Sequence, residues 1–325
     1  MSEGNDFQGR LQSFTENLLT KRLKRRLKNK RKQQNRNVVV DWVLAIIWAA
    51  CVVLIINQYF FQNYQIPSES MMDTLKVGDM IFVDKLSYGP ELLPGVAKLP
   101  GITTPKRGQV IVFENPSYIS KGPVFTVLQQ FIYMLTLTTV DIDRDQNGEQ
   151  RVHYLIKRAI GSSGDTLRVQ KGEVFIRPDG LQDFLQEKTL MQNLGLPFRA
   201  KRLVTPSEYT GIEAVGIASA YQEAGLPIPT ELGSPDVNTA YKDAFGYDMK
   251  RVSVLSDMNP SDSRLSSTAR RYNQGWYIPS DRVFPMGDNR DNSRDGRYFG
   301  PVDQSRVLGR ALFKYWPPSR VGVIP

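Results

Sequence analysis

The chain has 325 residues, of which 41% are hydrophobic and 10% aromatic, and this composition excludes a disordered chain. The net charge of +9 is concentrated in one place: ten basic residues and no acidic residue lie between Lys21 and Arg36, whereas residues 37–325 hold 31 basic and 30 acidic residues. The chain after the basic run is almost neutral, which argues against a nucleic acid as partner.

The tail formed by residues 1–37 combines this basic run with regularly spaced apolar residues. They recur at roughly helical spacing: Leu11, Phe14, Leu18, Leu19, Leu23 and Leu27. That spacing predicts an amphipathic helix that lies on the inner surface of a membrane. A solvated, charged tail is the alternative interpretation.

Residues 38–61 form a strongly apolar segment. Trp42 to Ile56 is an unbroken run of fifteen apolar residues, and a helix over the whole segment would reach roughly 36 Å, more than the roughly 30 Å of a hydrocarbon core. The positive-inside rule places the basic run in the cytoplasm. We therefore predict one uncleaved transmembrane helix, with the chain after residue 62 on the opposite side. A buried core helix and a cleaved signal peptide are the alternatives.

Beyond residue 62, short runs rich in β-branched residues alternate with Gly and Pro, as in RGQVIVFENP and TLRVQKGEVFIRPDG. This pattern is typical of strands joined by turns. Residues 182–274 differ because they are more polar and contain helical stretches. The sequence therefore predicts a mostly β ectodomain of antiparallel sheets or a barrel, divided into residues 62–181 and 275–325 by an inserted α+β lobe.

Residues 122–140, GPVFTVLQQFIYMLTLTTV, are apolar enough to contact lipid but include Gln129, Gln130 and several threonines. A second membrane span here would return the chain to the cytoplasm. We therefore predict a core hairpin or an edge that rests on the membrane, with a second span as the alternative.

The sequence predicts neither a metal nor a cofactor. Cys51 is the only cysteine, so an intrachain disulfide is excluded and no Cys/His cluster suits zinc. Residues 141–150, DIDRDQNGEQ, lack the Gly and Glu positions of a calcium-binding loop. Asn147 and Gly148 predict a tight hairpin turn instead.

Ser68 and Ser70 stand in the Pro-led stretch PSESMMDTL, and a serine hydroxyl needs a base to become a nucleophile. The one histidine, His153, has no carboxylate beside it in the sequence, so it is interpreted as structural. Lys157 ends an apolar strand four residues later. A lysine at its reference pKa is neutral in only about one molecule in 2500 at pH 7. Burial can lower that pKa by about 3 to 5 units, so a Ser–Lys dyad is physically sufficient; an exposed lysine at a strand end is the alternative.

Four motifs occur in an order that resembles the type I signal peptidases, also called leader peptidases. They are PSESMMDTL (67–75), RGQVIVF (107–113), KRAIGSSGD (157–165) and GDNRDNSRDGR (287–297). The resemblance extends from about residue 38 to the end, except for residues 182–274 and part of 114–145. It implies a mostly β fold similar to signal peptidases and repressor proteases.

The resemblance also implies roles for individual residues. Ser70 matches the nucleophile and Lys157 its general base, while the Ser68 hydroxyl and the Ser70 backbone N–H match an oxyanion hole. Ser293 matches the serine that orients the lysine. Two further residues match a supporting ion pair: Asp295 and Arg297.

The implied enzyme is a membrane serine endopeptidase that cuts secretory preproteins after small-x-small sites. Its implied location is the bacterial cytoplasmic (inner) membrane, crossed once, with the N-terminus cytoplasmic and the catalytic part outside; its partners are preproteins and the lipid bilayer. Residues 65–68 could pair with the substrate as an added strand. Four residues are candidates for shallow apolar substrate pockets: Ile66, Met71, Leu75 and Ile156.

Two positions depart from the family pattern. Asp73 replaces a usual proline, and its carboxylate would raise the pKa of Lys157 if it reached that amine; Asp73→Pro is therefore expected to be neutral or mildly activating. Gly296 replaces a frequent serine and is expected to loosen its turn. Two other protein classes remain as alternatives: a non-catalytic membrane scaffold, and a self-cleaving repressor, which would carry a DNA-binding domain in place of an anchor.

Overall fold

The computed structural model describes residues 16, 19–28, 38–93, 97–136, 140–144, 148 and 151–325. The chain divides into two compact units, Met1–Leu54 and Ile55–Pro325. Residues 19–28 of the tail are helical, and Leu19, Leu23 and Leu27 are exposed on that helix. The rest of the predicted tail helix and the turn at Asn147 lie outside the described residues.

The predicted apolar segment forms a helix. It is α1 (Val38–Tyr59), and it is the one helix in the described part of the chain that is long and apolar enough to cross a membrane. At about 1.5 Å per residue it is roughly 33 Å long, which exceeds the hydrocarbon thickness. The first strand begins two residues later, at Phe61.

The second unit is built mainly from strands. In chain order they are β1 (Phe61–Gln65), β2 (Met80–Asp84), β3 (Glu91–Leu93), β4 (Ala97–Lys98), β5 (Val110–Glu114), β6 (Tyr154–Gly161), β7 (Thr166–Gln170), β8 (Glu173–Arg177), β9 (Leu185–Gln186), β10 (Trp276–Tyr277), β11 (Arg282–Met286), β12 (Val302–Asp303), β13 (Val307–Trp316) and β14 (Gly322–Val323). The large sheet has the order β1-β2-β13-β5-β6-β11-β12, with β14 paired to β13. A smaller sheet has the order β10-β7-β8-β9, and β3 pairs with β4. All of these strand pairs are antiparallel, which confirms the predicted fold class.

Strand β5 shows why the large sheet has a core on both of its faces. Its residues Val110 to Phe113 are a continuous apolar run, and all four are buried. Val110 and Val112 pack in one hydrophobic cluster, whereas Ile111 and Phe113 pack in another. Because successive side chains of a strand point to opposite faces, a run without polar residues requires cover on both sides.

Seven α-helices follow the tail helix within the described residues, and four of them lie in the inserted lobe, residues 182–274. They are α1, α2 (Pro123–Leu135), α3 (Glu187–Asn193), α4 (Tyr209–Glu223), α5 (Ala244–Met258), α6 (Ser263–Gln274) and α7 (Gly296–Phe299). Helices α3 to α6 occupy the predicted insertion, and aromatic residues of α5 and α6 pack against β10 in one cluster. The lobe therefore shares its hydrophobic core with the small sheet.

The core hairpin predicted within residues 122–140 is wrong, because α2 occupies residues 123–135. Its 13 residues correspond to about 20 Å, which is too short for the alternative of a second span. The segment has the periodicity of a helix with four large apolar side chains on the outside: Val124, Leu128, Phe131 and Leu135. A membrane-resting role stays a prediction.

Candidate active site

Ser70 lies on a short 3-10 turn, Glu69–Met71, in the loop between β1 and β2. Hydrogen bonds close the loop at its base, because Ile66 N donates to Asp79 O at 2.9 Å. The turn is also held from the far end of the chain: Asn289 N donates to Ser70 O at 3.0 Å, and Asn289 Nδ2 donates to Glu69 O at 3.2 Å. The backbone around the hydroxyl is thus fixed by the GDNRDN stretch.

Lys157 is brought to Ser70 by β6, although 87 residues separate the two in the sequence. The Lys157 amine lies 2.7 Å from Ser70 Oγ and 3.0 Å from Ile156 O, and only 3% of Lys157 is exposed. Position 157 follows an apolar stretch of β6 and pairs with Ile111 of β5, so its side chain leaves a strand in the middle of the sheet. The predicted Ser–Lys pair is therefore in hydrogen-bond contact.

Burial lowers the pKa of Lys157 to about 8, because the charged ammonium loses its hydration. The carboxylates of Asp295 and Asp288 oppose this effect by stabilising the charged form, but they do not cancel it. At pH 7 such an amine is neutral in about one molecule in ten, at a cost of about 1.4 kcal/mol. Lys157 can therefore accept a proton near neutral pH, which an exposed lysine cannot.

Ser68 is exposed and lies two residues before Ser70 in the chain. The two hydroxyl oxygens are 3.3 Å apart. An oxyanion hole needs donors within about 3 Å of the position that the negatively charged oxygen will occupy. The location of Ser68 next to Ser70 is compatible with this role, which stays a prediction.

The loop of residues 287–297 surrounds the dyad from the other side. Asp295 and Arg297 form the predicted ion pair, with Arg297 Nε 2.9 Å from Asp295 Oδ1, and both side chains are almost fully buried. Asp295 Oδ2 accepts a hydrogen bond from Gly287 N at 3.0 Å. Burial alone would raise the pKa of Asp295, but the Arg297 guanidinium and this N–H hold it below its usual value. The pair therefore orders the loop backbone beside the dyad.

Ser293 does not make the contact that its predicted role needs. Its hydroxyl is buried and has no hydrogen-bond partner among the described residues, Lys157 included. It lies against Gly287, since a Cβ at position 287 would be 2.2 Å from Ser293 Oγ and 2.6 Å from Ser70 O. Gly287 thus lets the loop backbone approach Ser70, and a lysine-orienting role for Ser293 stays a prediction.

The sequence interpretation missed the pairing of Arg158 with Asp288. Arg158 Nε and Nη2 donate to the two Asp288 oxygens at 2.8 and 2.7 Å, and Thr74 Oγ1 donates to Asp288 Oδ2 at 2.6 Å. These groups come from three of the four motifs, and the ion pair is buried. The position of Arg158 immediately after Lys157 was the available signal. Removing one partner would leave a buried charge unpaired, so the pair holds the three motifs together.

Asp73 behaves differently from the expectation. Its carboxylate lies 3.1 Å from the amine of Lys201, a residue of the inserted lobe, and it is not among the groups that perturb Lys157. Its φ of +78° cannot be adopted by proline, whose ring fixes φ near −65°. The expectation that Asp73→Pro is neutral or activating is therefore wrong.

The inserted lobe is fixed to the site loop at several points. Lys201 N donates to Asp288 O at 2.7 Å, and Arg290 N donates to Lys201 O at 3.0 Å. Arg290 also forms a buried two-point ion pair with Glu187, in which Nη2 lies 2.7 Å from Oε1. The lobe thus helps to order the loop of residues 287–297, whose Asn289 donates to Ser70 O.

The expectation for Gly296 is also wrong. A Cβ at this position would lie 2.7 Å from Pro285 O and 2.9 Å from the Phe284 ring. The glycine therefore permits α7 to lie closer to β11 than a residue with a side chain could, and it tightens this contact.

The four candidate residues for substrate pockets belong to one hydrophobic cluster, and three of them are buried. Ile66, Met71 and Leu75 are 3%, 1% and 0% exposed, and Ile156 is partly buried against the same hydrophobic cluster. They form the apolar support beneath the Ser70 turn. Their contact with a substrate side chain stays a prediction.

His153 is held by aromatic rings. It stacks on Tyr118 with ring centroids 3.9 Å apart and on Tyr154 at 4.7 Å, and burial lowers its pKa. No hydrogen bond of the described residues joins its ring to Ser70. Within the described part of the chain, no group of three or more His, Cys, Asp or Glu side chains could hold a metal ion.

The chain is similar in sequence to known signal peptidases. A family model described as signal peptidase, peptidase S26, matches residues 39–316. The chain is 28% identical over 286 residues to signal peptidase I of Pseudomonas aeruginosa, covering 84% of this chain and 72% of that protein. It is 27% identical over 286 residues to signal peptidase I of Aquifex aeolicus, covering 86% and 84%. For signal peptidase I of Buchnera aphidicola subsp. Baizongia pistaciae, the identity is 24% over 309 residues, covering 92% and 84%.

Proposed function

This chain belongs to the signal peptidase family, peptidase S26, and we propose that it removes signal peptides by a mechanism in which Ser70 is the nucleophile and neutral Lys157 is the general base. Family membership makes it a serine peptidase, a hydrolase that processes secretory preproteins. The residue roles are our inference, and the contact of 2.7 Å between the Lys157 amine and Ser70 Oγ is the observation that carries them.

In the first step, the lone pair of the neutral Lys157 amine accepts the proton of Ser70 Oγ while that oxygen bonds to the scissile carbonyl carbon. The carbonyl π electrons move onto its oxygen and form a tetrahedral oxyanion. The Lys157 ammonium then gives its proton to the leaving amine as the C–N bond breaks. The mature protein departs, and the signal peptide remains as an ester on Ser70.

In the second step, Lys157 is neutral again and removes a proton from a water molecule that attacks the ester carbonyl. Collapse of the second tetrahedral intermediate returns the proton to Ser70 Oγ and releases the signal peptide with a free carboxylate. Lys157 is nearly inaccessible to solvent, which supports this cycle because burial keeps its pKa near the pH of the reaction.

The oxyanion of both intermediates requires donors. We assign this role to the Ser70 backbone N–H and the Ser68 hydroxyl, which is supported by the 3.3 Å separation of the two serine oxygens. Donors fixed before the reaction stabilise the charge without a further reorganisation cost, and one of them is typically worth about 3 to 4 kcal/mol.

We further propose that α1 anchors the enzyme in the bacterial cytoplasmic membrane, with the tail in the cytoplasm and the catalytic unit outside. The basic run before α1 and the length of α1 support this orientation. Anchoring the enzyme where preproteins emerge raises its effective concentration for their cleavage sites. Protease added from outside should digest the chain after residue 62 and spare the tail, and protection of the catalytic unit would contradict this topology.

The direct test uses detergent-solubilised, full-length protein and a preprotein with an Ala-x-Ala cleavage site. Wild type should cut after that site, whereas Ser70→Ala and Lys157→Ala should each lose nearly all activity, because the nucleophile and the base act as a unit. His153→Ala is the matched control and should retain activity. If Lys157→Ala were active and His153→Ala inactive, the general base would be His153 and not Lys157. An inactive wild type would favour a non-catalytic scaffold.

A further inference from the structure

Helix α2 (Pro123–Leu135) presents large apolar side chains to the outside. Val124, Leu128, Phe131 and Leu135 are 82%, 53%, 47% and 54% exposed. Their spacing of four, three and four residues places them on one face of the helix. Ile119, four residues before the helix, is also 78% exposed. A contiguous exposed apolar face of this kind marks an interaction surface.

The opposite face of α2 is polar and faces inward. Thr126 and Gln129 are buried, and Gln129 Nε2 donates to Asp141 Oδ1 at 2.9 Å. A surface helix of a water-soluble protein normally buries its apolar face and exposes its polar face. Here the hydrogen bonds of the polar face fix the helix with its apolar face outward, which is the orientation that a lipid environment favours.

Residues on either side of α2 are linked to the strand β1, which follows α1. Tyr64 of β1 contacts Tyr154 with ring centroids 5.8 Å apart, and the stack continues through His153 to Tyr118. The Tyr118 hydroxyl then donates to the buried Asp143 at 2.6 Å. Tyr118 and Asp143, which lie before and after α2 in the chain, are therefore linked through these rings to β1, which begins two residues after α1 ends.

We propose that α2 is a second membrane contact of this enzyme and lies in the lipid–water interface with the face Val124, Leu128, Phe131 and Leu135 turned to the acyl chains. The proposal rests on the membrane anchoring of α1 proposed above. At about 20 Å, α2 is too short to span the bilayer and lies in its plane. Between residues 119 and 136 there is no acidic residue, and Lys121 is the one base, so no negative charge opposes insertion.

The consequence of this contact is control over the position of the catalytic site. Strand β6 begins at Tyr154, one of the rings in this stack, and carries Lys157 three residues later, about 10 Å along the strand. A helix fixed in the interface thus holds the dyad at a set height above the bilayer. The cleavage site of a preprotein whose apolar segment is still in the membrane would lie at a similarly restricted height.

Site-directed fluorescence in vesicles of phosphatidylethanolamine and phosphatidylglycerol tests the proposal. The full chain with Cys51→Ala receives a single cysteine as Leu128→Cys or Leu194→Cys, and each is labelled with an environment-sensitive dye. The two positions are matched in exposure, at 53% and 52%, but Leu194 lies in the inserted lobe. The dye at 128 should be quenched by a quencher on lipid acyl chains and shielded from iodide, whereas the dye at 194 should show the reverse.

Equal quenching by iodide at the two positions would overturn the proposal. Shielding at 128 that develops only after a preprotein is added would overturn it in favour of a docking site for the substrate's apolar segment. If the dye at 128 became shielded from iodide only as the number of protein molecules per vesicle increased, without quenching from the acyl chains, the proposal would be overturned in favour of a second copy of the chain. Wild-type protein labelled at Cys51 serves as the separate test of the anchor, since lipid quenching at Cys51 without quenching at 128 refutes α2 alone.

A second measurement uses the double variant Leu128→Gln, Phe131→Gln. It should cut a soluble peptide in detergent at the wild-type rate, because neither side chain contacts the dyad. In vesicles it should cut a membrane-inserted preprotein several-fold more slowly than wild type. An equal loss in detergent and in vesicles would show that the residues support the fold and would contradict the membrane role.

Discussion

The pH dependence of cleavage follows from the burial of Lys157. The pKa of this amine is lowered from 10.5 to about 8, so its surroundings disfavour the charged form by a net of about 3 kcal/mol. In the proposed mechanism only the neutral amine accepts the Ser70 proton, so we expect activity to be gained as pH rises through this pKa and lost as pH falls below it. The neutral fraction increases from about 1% at pH 6 to about 90% at pH 9. We therefore expect kcat/KM to rise about 90-fold over this range and then to level off.

The assay is kcat/KM for a quenched fluorescent peptide with an Ala-x-Ala site, measured with solubilised enzyme from pH 6 to pH 10. Lys157→Arg should stay inactive throughout, because a guanidinium remains protonated over this range. A plateau that begins below about pH 7.5 would point to a histidine base instead, and His153→Ala would then abolish activity. A tenfold rise per pH unit that continues up to pH 10 without levelling off would show that the lysine is not desolvated. Circular dichroism at each pH separates these outcomes from unfolding.

Three further predictions concern the surroundings of the dyad. Ser68→Ala should lower kcat about 10²- to 10³-fold if its hydroxyl is an oxyanion donor. An increase in KM with an unchanged kcat would contradict that role. Asp73→Pro should lower activity strongly, whereas Asp73→Gly, which tolerates the positive φ, should retain most of it; equal activity of the two variants would refute the backbone argument. Glu187→Gln should destabilise the fold by about 3 kcal/mol because it leaves Arg290 unpaired in the interior. The control Glu223→Gln breaks an exposed pair and should cost less than about 1 kcal/mol, so similar melting temperatures of the two variants would contradict the prediction.

The inserted lobe illustrates a relation that the sequence interpretation did not reach. Residues 182–274 were separated from the flanking strands by their polarity and predicted as an inserted α+β lobe, and in the structure they are largely helical. The ion pairs of Lys201 with Asp73 and of Glu187 with Arg290 were not predicted, because each pair joins residues far apart in the sequence. Composition identifies an insertion, but it carries no information about the surface on which the insertion lies.

The segment around α2 was ambiguous for a different reason. Its apolar content was recognised, but a short apolar run with two glutamines fits a hairpin, a buried helix or a surface helix equally well. The hydrogen bond from Gln129 to Asp141 decides which face points inward. That choice depends on a partner twelve residues away, so periodicity alone could not make it.

The sequence by itself determined the apolar helix, the mostly β organisation and the identity of the two residues in contact at the site. These features are local: a 22-residue apolar helix, the alternation of strands and turns, and short motifs retain their meaning without the rest of the fold. Only the tertiary structure decided the chemistry of those residues. The pKa of Lys157 is lowered because β6 places its amine in a buried position beside Ser70, and Asp73 forms an ion pair with Lys201 because the lobe returns to the site. Desolvation and ion pairing depend on atoms brought together from distant parts of the chain, and so they arise only when the fold is complete.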